Sequence, residues 1–521
     1  MAHPPPLLAA PLSTRDTRRA ARLSSLSRRR ALSVLPALAL LATLALRLAS
    51  VSAHAEIVAQ IPPANTVLAV SPAVVRLVFS ERVLASLSQV AVTDATGARF
   101  DRGASGVSAD GLALRIALAP TLPTGPYTVL WTSVSADDGH VLQGSYTFVV
   151  GQAGTQIVVP TGSGIAPLAT MLFGLARVLT DWVALCGTAI WVGLPLFLRL
   201  VLGPALRRGR AAWATQVGLG ATATAARLGY LALSLTLVST LMGLLLQAAS
   251  VALATGSPVL QTLGDQALGS RYGLVWIVRE VVLLAALAVS TVPLAVPAPI
   301  ALVVPAGSCV PALPVASGGP AEWATQGAAP WAAALGVVYL ALVALNGHAA
   351  ALFTVLPLSL AVDWLHLLAM AIWLGGTVGV AAALVPATAA LAPRDRARAL
   401  VTLLPAFSPW ALGAVAILSV TGMGNAVLRS TDLASWAASA YGRVLAIKIL
   451  LFIVMAAISR YHAYVLRPRL SAALAADGSD PEGRSLQAAA DTLTRWVTVN
   501  PYLAAAVLLC VAVMASSPPP V

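Results

Sequence analysis

The chain has 521 residues, of which 58% are hydrophobic and 10% charged, with a formal net charge of +13. That balance excludes an ordinary soluble globular protein and marks a membrane protein. Of the charge, +7 lies in the first 53 residues (eight arginines, one aspartate), leaving +6 for the rest, so the basicity speaks for targeting and helix-end arginines rather than for nucleic-acid binding.

Residues 1–53 are predicted to be an export signal. Arg28-Arg29-Arg30 precedes the apolar run Ala31–Leu46, which contains Pro36 and is shorter than the roughly 20 residues a span needs. Val51-Ser52-Ala53 makes a small-x-small cleavage site, and the arginine run fits a Sec or a twin-arginine leader. Cleavage after Ala53 would leave His54 as the first residue. A terminal histidine offers its amine and a ring nitrogen to one ion, and nitrogen ligands in a tetragonal arrangement favour Cu(II).

Residues 54–150 read as a small exported β domain. Val74–Phe79, Ala113–Leu118, Tyr127–Trp131 and Ser145–Val150 alternate or are β-rich, and Ala95-Thr96-Gly97 and Pro123-Thr124-Gly125-Pro126 separate them as turns. Between the last two lies Ser135-Ala136-Asp137-Asp138-Gly139-His140, where Asp138 and His140 stand two apart and point the same way in an extended loop. With a terminal His54, this loop is a candidate metal site.

Residues 151–167 form a Gly/Thr/Pro linker. Residues 168–521 carry apolar segments at about 168–200, 224–252, 271–298, 330–350, 358–386, 401–427, 443–466 and 496–514, which predicts about eight transmembrane helices. Arg207-Arg208-Gly209-Arg210, the Arg394–Arg398 cluster and the Arg467–Arg495 segment fall on one predicted side, so the positive-inside rule places the β domain on the other, extracytoplasmic side. The stretch Pro299–Val315 is apolar and Pro-rich, as an interfacial or re-entrant piece would be.

The stretch Asn346–Gly376 concentrates the chemistry. His348 ends one apolar run and His366 sits in the next; ionisable residues inside membrane segments are costly and point to function. Asp363, His366 and Met370 fall at spacings of three and four, hence on one helix face, and a carboxylate, an imidazole and a thioether suggest a soft or borderline metal. Met171, Met242 and Met423 are expected near the same membrane face; gap-filling packing is the plainer reading of each. His462, near the far end of its helix, is either an exit ligand or an interfacial ring. Arg279 and Glu280 lie within a helix and call for partners. The three cysteines, Cys186, Cys309 and Cys510, are far apart and suggest no disulfide framework.

Two resemblances follow. His54-Ala55-Glu56, Pro62-Pro63-Ala64-Asn65, the Val75–Val83 stretch, Tyr127–Trp131 and Ser135–His140 resemble the periplasmic copper-binding protein CopC. The resemblance implies a Greek-key β barrel or sandwich that binds Cu(II) through the amine and ring of His54 with Asp138 and His140. Some CopC proteins also have a methionine-rich Cu(I) site; no methionine lies between His54 and Val150. From about residue 168 the chain resembles CopD, the inner-membrane partner of CopC. The matching residues are Arg271-Tyr272-Gly273 with Trp276 and Arg279, Asn346–Ala350, Asp363–His366 through Gly376, Thr421–Asn425, and Tyr441-Gly442-Arg443 with Lys448. Val499-Asn500-Pro501 departs from the acidic residue that often opens the last helix of such proteins.

The expected fold is thus an all-β domain followed by an all-α polytopic bundle in the inner membrane. The expected function is capture of copper outside and its transport, as import, contributing to copper homeostasis or resistance. Its ligands would be His54, Asp138 and His140, then His348, His366 and Met370, then His462. Expected partners are the copper ion, the lipid bilayer, a periplasmic copper donor and a cytoplasmic copper acceptor. No G-x-x-x-x-G-K-[ST] motif points to a nucleotide. The alternatives are a membrane-tethered copper buffer or sensor, and a copper- or haem-dependent oxidoreductase; an enzyme is not expected.

Overall fold

Alternating apolar residues over 57–150 give way to long apolar helices, and the computed structural model follows that division. It describes residues 57–136, 139, 141–151, 167–208, 213–291, 329–346, 356–429, 439–476 and 483–516.

The β domain is two four-stranded sheets packed face to face. One has the order β1 (Ile57–Ile61), β3 (Val74–Phe79), β6 (Ala113–Leu118), β5 (Asp101–Val107); the other runs β2 (Val67–Leu68), β8 (Val141–Val150), β7 (Gly125–Val134), β4 (Gln89–Asp94). All pairings are antiparallel except β2 with β8. Period-two alternation decides the core: Val75, Leu77 and Phe79 of β3 and Leu114, Ile116 and Leu118 of β6 face Val90, Val92, Tyr127, Val129 and Phe148 of the other sheet. Tyr127 stacks on Phe148 with centroids 5.6 Å apart, and its hydroxyl donates to the Pro123 carbonyl at 2.8 Å. The strands expected at 127–131 and 145–150 are longer than their apolar runs, because ladder pairing continues to Val134↔Val141 through polar residues. At the β4–β5 turn, the Thr96 hydroxyl and the Ala98 and Thr96 amides donate to Asp94, holding its carboxyl below the usual carboxylate range.

Helix α1 (Pro167–Phe197) begins the bundle and passes through a π-helical turn, Leu198–Leu202, into Gly203–Arg208. There follow α2 (Trp213–Thr255), α3 (Val259–Gly269), α4 (Arg271–Thr291), α5 (Ala329–Leu345) and α6 (Leu356–Met370). Helix α6 continues through two π-helical segments, Ala371–Gly375 and Gly379–Leu384, to Ala387. The last five are α7 (Pro393–Leu403), α8 (Ser408–Arg429), α9 (Ala440–Tyr461, extended by a π segment at His462–Leu466 to Ala475), α10 (Arg484–Val497) and α11 (Asn500–Ala515). Among the described residues seven continuous helical stretches are long and apolar enough to cross a membrane, and Trp331–Leu345 is a shorter apolar helix where the remaining span is expected. Leu231, Leu235, Val238 and Leu245 of α2, Leu412 and Val420 of α8, and Ile449, Leu450 and Ile453 of α9 are exposed. An apolar exterior of this extent suits hydrocarbon rather than water.

Helix α1 lies at the centre. Its Gly193 meets the backbone of Ala371 and Gly375 in the first π segment, so closely that neither glycine leaves room for a Cβ. Small residues at a helix crossing let backbones approach in this way.

Candidate functional site

Four of the seven predicted ligands, His54, Asp138, His140 and His348, lie outside the described residues, but Gly139 and Asn346 lie within them.

The β domain rests on the C-terminal end of α2. Gln143 Nε2 donates to the Ala254 carbonyl at 3.2 Å and Gln89 Nε2 to the Thr255 carbonyl at 3.3 Å. These are among the final four carbonyls of the helix, which have no partner within it. Val251 joins Leu84, Leu87 and Val134 of the sandwich in an apolar cluster. One turn deeper, Gln247 is 4% exposed, and its Nε2 donates to the carbonyl of Gly139. Gln247 Oε1 accepts from Arg177 Nη1 at 2.7 Å, and Arg177 Nε pairs with Asp181 Oδ2 at 3.1 Å on α1. Gly139 has φ +74°, and a Cβ there would lie 2.6 Å from Gln247 Nε2 and 3.3 Å from the Tyr272 ring. Glycine is required here twice over, for its backbone angle and for the close approach.

Tyr272 also ties down the end of α5. Its carbonyl accepts from Asn346 Nδ2 at 3.3 Å, and the neighbouring Arg271 donates to the Leu345 carbonyl at 3.1 Å. The residue between Asp138 and His140 and the residue two before His348 therefore meet at one tyrosine.

Helix α6 starts at this same end of the bundle, and His366 stands ten residues along it, a depth of roughly 15 Å at 1.5 Å per residue. Its Nδ1 is 2.9 Å from Thr421 Oγ1 of α8. The threonine hydroxyl donates its single proton to the Ile417 carbonyl at 2.6 Å, so toward the imidazole it accepts. Nδ1 then carries the ring proton and Nε2 the lone pair, the arrangement by which one ring nitrogen is fixed so that the other can ligate. One turn back, Asn425 Nδ2 donates to Asp363 Oδ1 at 3.3 Å. One turn on, Met370 is buried with Ala414 of α8, Met455 of α9, and Ala504, Val507 and Leu508 of α11. Asp363, His366 and Met370 thus line one interface against α8, which supplies Thr421 and Asn425.

The other methionines separate. Met455 is fully buried, whereas Met171, Met242 and Met423 are 55%, 45% and 67% exposed, on the apolar exterior rather than in gaps of the core. At the opposite end of the bundle His462 opens the π segment of α9. Its ring meets the backbone of Trp496, and its Nε2 is enclosed with no hydrogen-bond partner among the described residues. Nearby, Asn500 Nδ2 donates to Ser459 Oγ at 3.2 Å. Among the described residues no group of three or more His, Cys, Asp or Glu side chains could hold a metal.

Arg279, for which the sequence names no partner, donates from Nη2 to the Tyr339 hydroxyl at 3.1 Å, with its guanidinium carbon 5.3 Å from that ring's centroid. Tyr339→Phe keeps the ring and removes the acceptor. It should destabilise the detergent-solubilised protein by about 1.5–3 kcal/mol, the range for a hydrogen bond to a charged group, read as a lowered thermal unfolding midpoint.

Sequence reasoning passed over Gln247 and the Arg177–Asp181 pair. The available signals were a lone amide in an otherwise apolar stretch of α2 and opposite charges four apart in α1.

Comparison with known proteins agrees with both halves. The CopC domain family matches residues 57–151, and the family described as Copper resistance protein D, CopD, matches residues 401–514. Copper transport protein CutJ of Bacillus subtilis (strain 168) is 26% identical over 453 residues, covering 80% of this chain and 68% of that protein. Protein YobA of Escherichia coli (strain K12) is 38% identical over 115 residues, 22% of this chain and 91% of that protein. Among solved structures, CopC from Methylosinus trichosporium OB3b is 30% identical and covers 20% of this chain and 100% of its own, with TM-score 0.18. PcoC, a methionine-rich copper resistance protein from Escherichia coli, is 30% identical and covers 19% and 99%, with TM-score 0.17. Copper is the metal of both matched families. A CopC domain carried on a CopD-type multi-pass membrane bundle places this chain in the CopC/CopD family.

Proposed function

We propose that the chain imports copper across the inner membrane. The leader, residues 1–53, is removed, and the β domain faces the extracytoplasmic side. It captures Cu(II) from a periplasmic donor with the amine and ring of His54 together with Asp138 and His140. The ion then passes to His348 and to the His366–Met370 interface. It leaves near His462 for a cytoplasmic acceptor, contributing to copper homeostasis and resistance.

One observation carries this reading. Gly139, between two proposed capture ligands, is seated on Tyr272, and Tyr272 holds Asn346, two residues before the next proposed ligand. A copper buffer merely tethered to the membrane has no need of that contact. The proposed ligand sets are also graded. A terminal chelate with a carboxylate and an imidazole suits Cu(II), and a set with fewer nitrogen and oxygen donors, such as His348 and His366, holds the same ion more weakly without a change of oxidation state. Each set is partial, so each can release its ion to the next.

Radiocopper accumulation tests the proposal in cells lacking other copper importers. Cells expressing the full chain should accumulate copper faster than cells expressing His348→Ala, with equal amounts of protein in the membrane. Equal accumulation, or faster loss of preloaded copper from the wild-type cells, would reject import.

A further inference from the structure

Among the described residues, three hydrogen bonds run between the β domain and α2, and two of them go to helix-end carbonyls, which many polar side chains could cap. The third is different in kind. It runs from Asp181 through Arg177 and Gln247 to the carbonyl of Gly139, with Gln247 buried. A glutamine amide can in general face either way. Here the amide faces the Arg177 guanidinium, which can only donate, and the Gly139 carbonyl, which can only accept, so its oxygen turns to Arg177 and its nitrogen to Gly139. A guanidinium at the head of the chain also strengthens each bond that follows.

We propose that Gln247, oriented by Arg177 and Asp181, is a positioning residue for copper transfer: by gripping the carbonyl of Gly139 it holds that residue, between two proposed loop ligands, against Tyr272. The inference rests on the transfer reading and deepens it. The gripped carbonyl belongs to the peptide that joins Gly139 to His140, so holding it restrains the backbone that leads directly into one proposed loop ligand. Gln247 reaches the backbone only, so it contributes nothing to the ligand set. Loading of the β domain is therefore independent of Gln247, whereas hand-over depends on it.

The experiment uses the full chain with Gln247→Leu, Gln247→Glu and, separately, Gly139→Ala. Leucine removes both polar contacts at similar volume. Glutamate keeps an acceptor for Arg177 but presents a second acceptor to the Gly139 carbonyl. Two quantities are read in proteoliposomes charged with Cu(II) on the β-domain side: the cupric EPR signal of the loaded domain, and the initial rate of radiocopper entry. For both Gln247 variants we expect the EPR parameters of the wild type at saturation. We also expect entry slowed by at least about tenfold, the lower end of what losing an orienting partner costs a metal site. The cupric signal should then outlast that of the wild type, because the loaded ion is not passed on. Gly139→Ala should slow entry in the same way. A domain merely destabilised would lose the signal rather than prolong it. Entry within twofold of wild type in Gln247→Leu, or loss of the cupric signal in both Gln247 variants, overturns the proposal. A wild-type chain that admits no copper overturns the transfer reading itself, and this inference with it.

Discussion

Replacing His54 with alanine in the exported protein is expected to weaken Cu(II) binding by the β domain by at least about 100-fold. Orienting partners outside the ligand set already cost metal sites about 10–100-fold, and a lost ligand must cost more. The amine remains in this variant, but the chelate formed by amine and ring on one residue is broken. Blocking leader removal, for example with Ala53→Arg at the cleavage site, keeps the ring and buries the amine in a peptide bond. It should weaken binding comparably. Competition titration of the purified full-length protein against a chelator of known affinity measures both. Affinity within threefold of wild type in both variants would show that the terminus is not a ligand.

His366→Ala is expected to reduce radiocopper entry by at least tenfold, taking about 1.4 kcal/mol per factor of ten, while the β domain still loads. The structure adds a finer expectation at Thr421. Because the hydroxyl is committed to the Ile417 carbonyl, it serves His366 only as an acceptor. Thr421→Val keeps the shape and removes the acceptor, so the ring loses the bond that keeps its proton on Nδ1. Entry should fall by about 10–100-fold, and Thr421→Ser should restore it. Met370→Leu is the informative contrast. A volume-conserving core swap costs less than about 1.5 kcal/mol of stability. A loss of entry as large as that of His366→Ala at unchanged stability would mark Met370 as a ligand, whereas little change would mark it as packing.

How much of this was legible in the sequence varied with the range of the interaction. Val75, Leu77 and Phe79 alternate because one sheet face is buried, so β3 could be read to the residue. Helices followed from apolar length alone. The face shared by Asp363, His366 and Met370 followed from the helical period and holds as far as Met370. What no local pattern carries is the partner across a gap. Thr421 is 55 residues from His366, and Gln247 is 108 from Gly139. Both are ordinary residues in ordinary helices until folding brings them together. Nor did the pattern announce the exposed Met171, Met242 and Met423. A thioether is apolar enough to sit against hydrocarbon as readily as in a core, so composition does not separate the two locations.

The widened turns of the helix that begins at Leu356 have a consequence for sequence change. A π turn holds one residue more than the α turn it replaces, and one residue is about 100° of rotation. The helix therefore carries a reserve that a deletion can draw on. Loss of Ile372 alone would be absorbed by reversion of Ala371–Gly375 to α geometry, leaving Asp363, His366 and Met370 aligned with their neighbours above and Thr377 and the residues after it in phase below. The same deletion at Leu367 has no such slack to consume. It would swing Met370 away from Met455 and Ala414, although the two sites are only five residues apart in the chain.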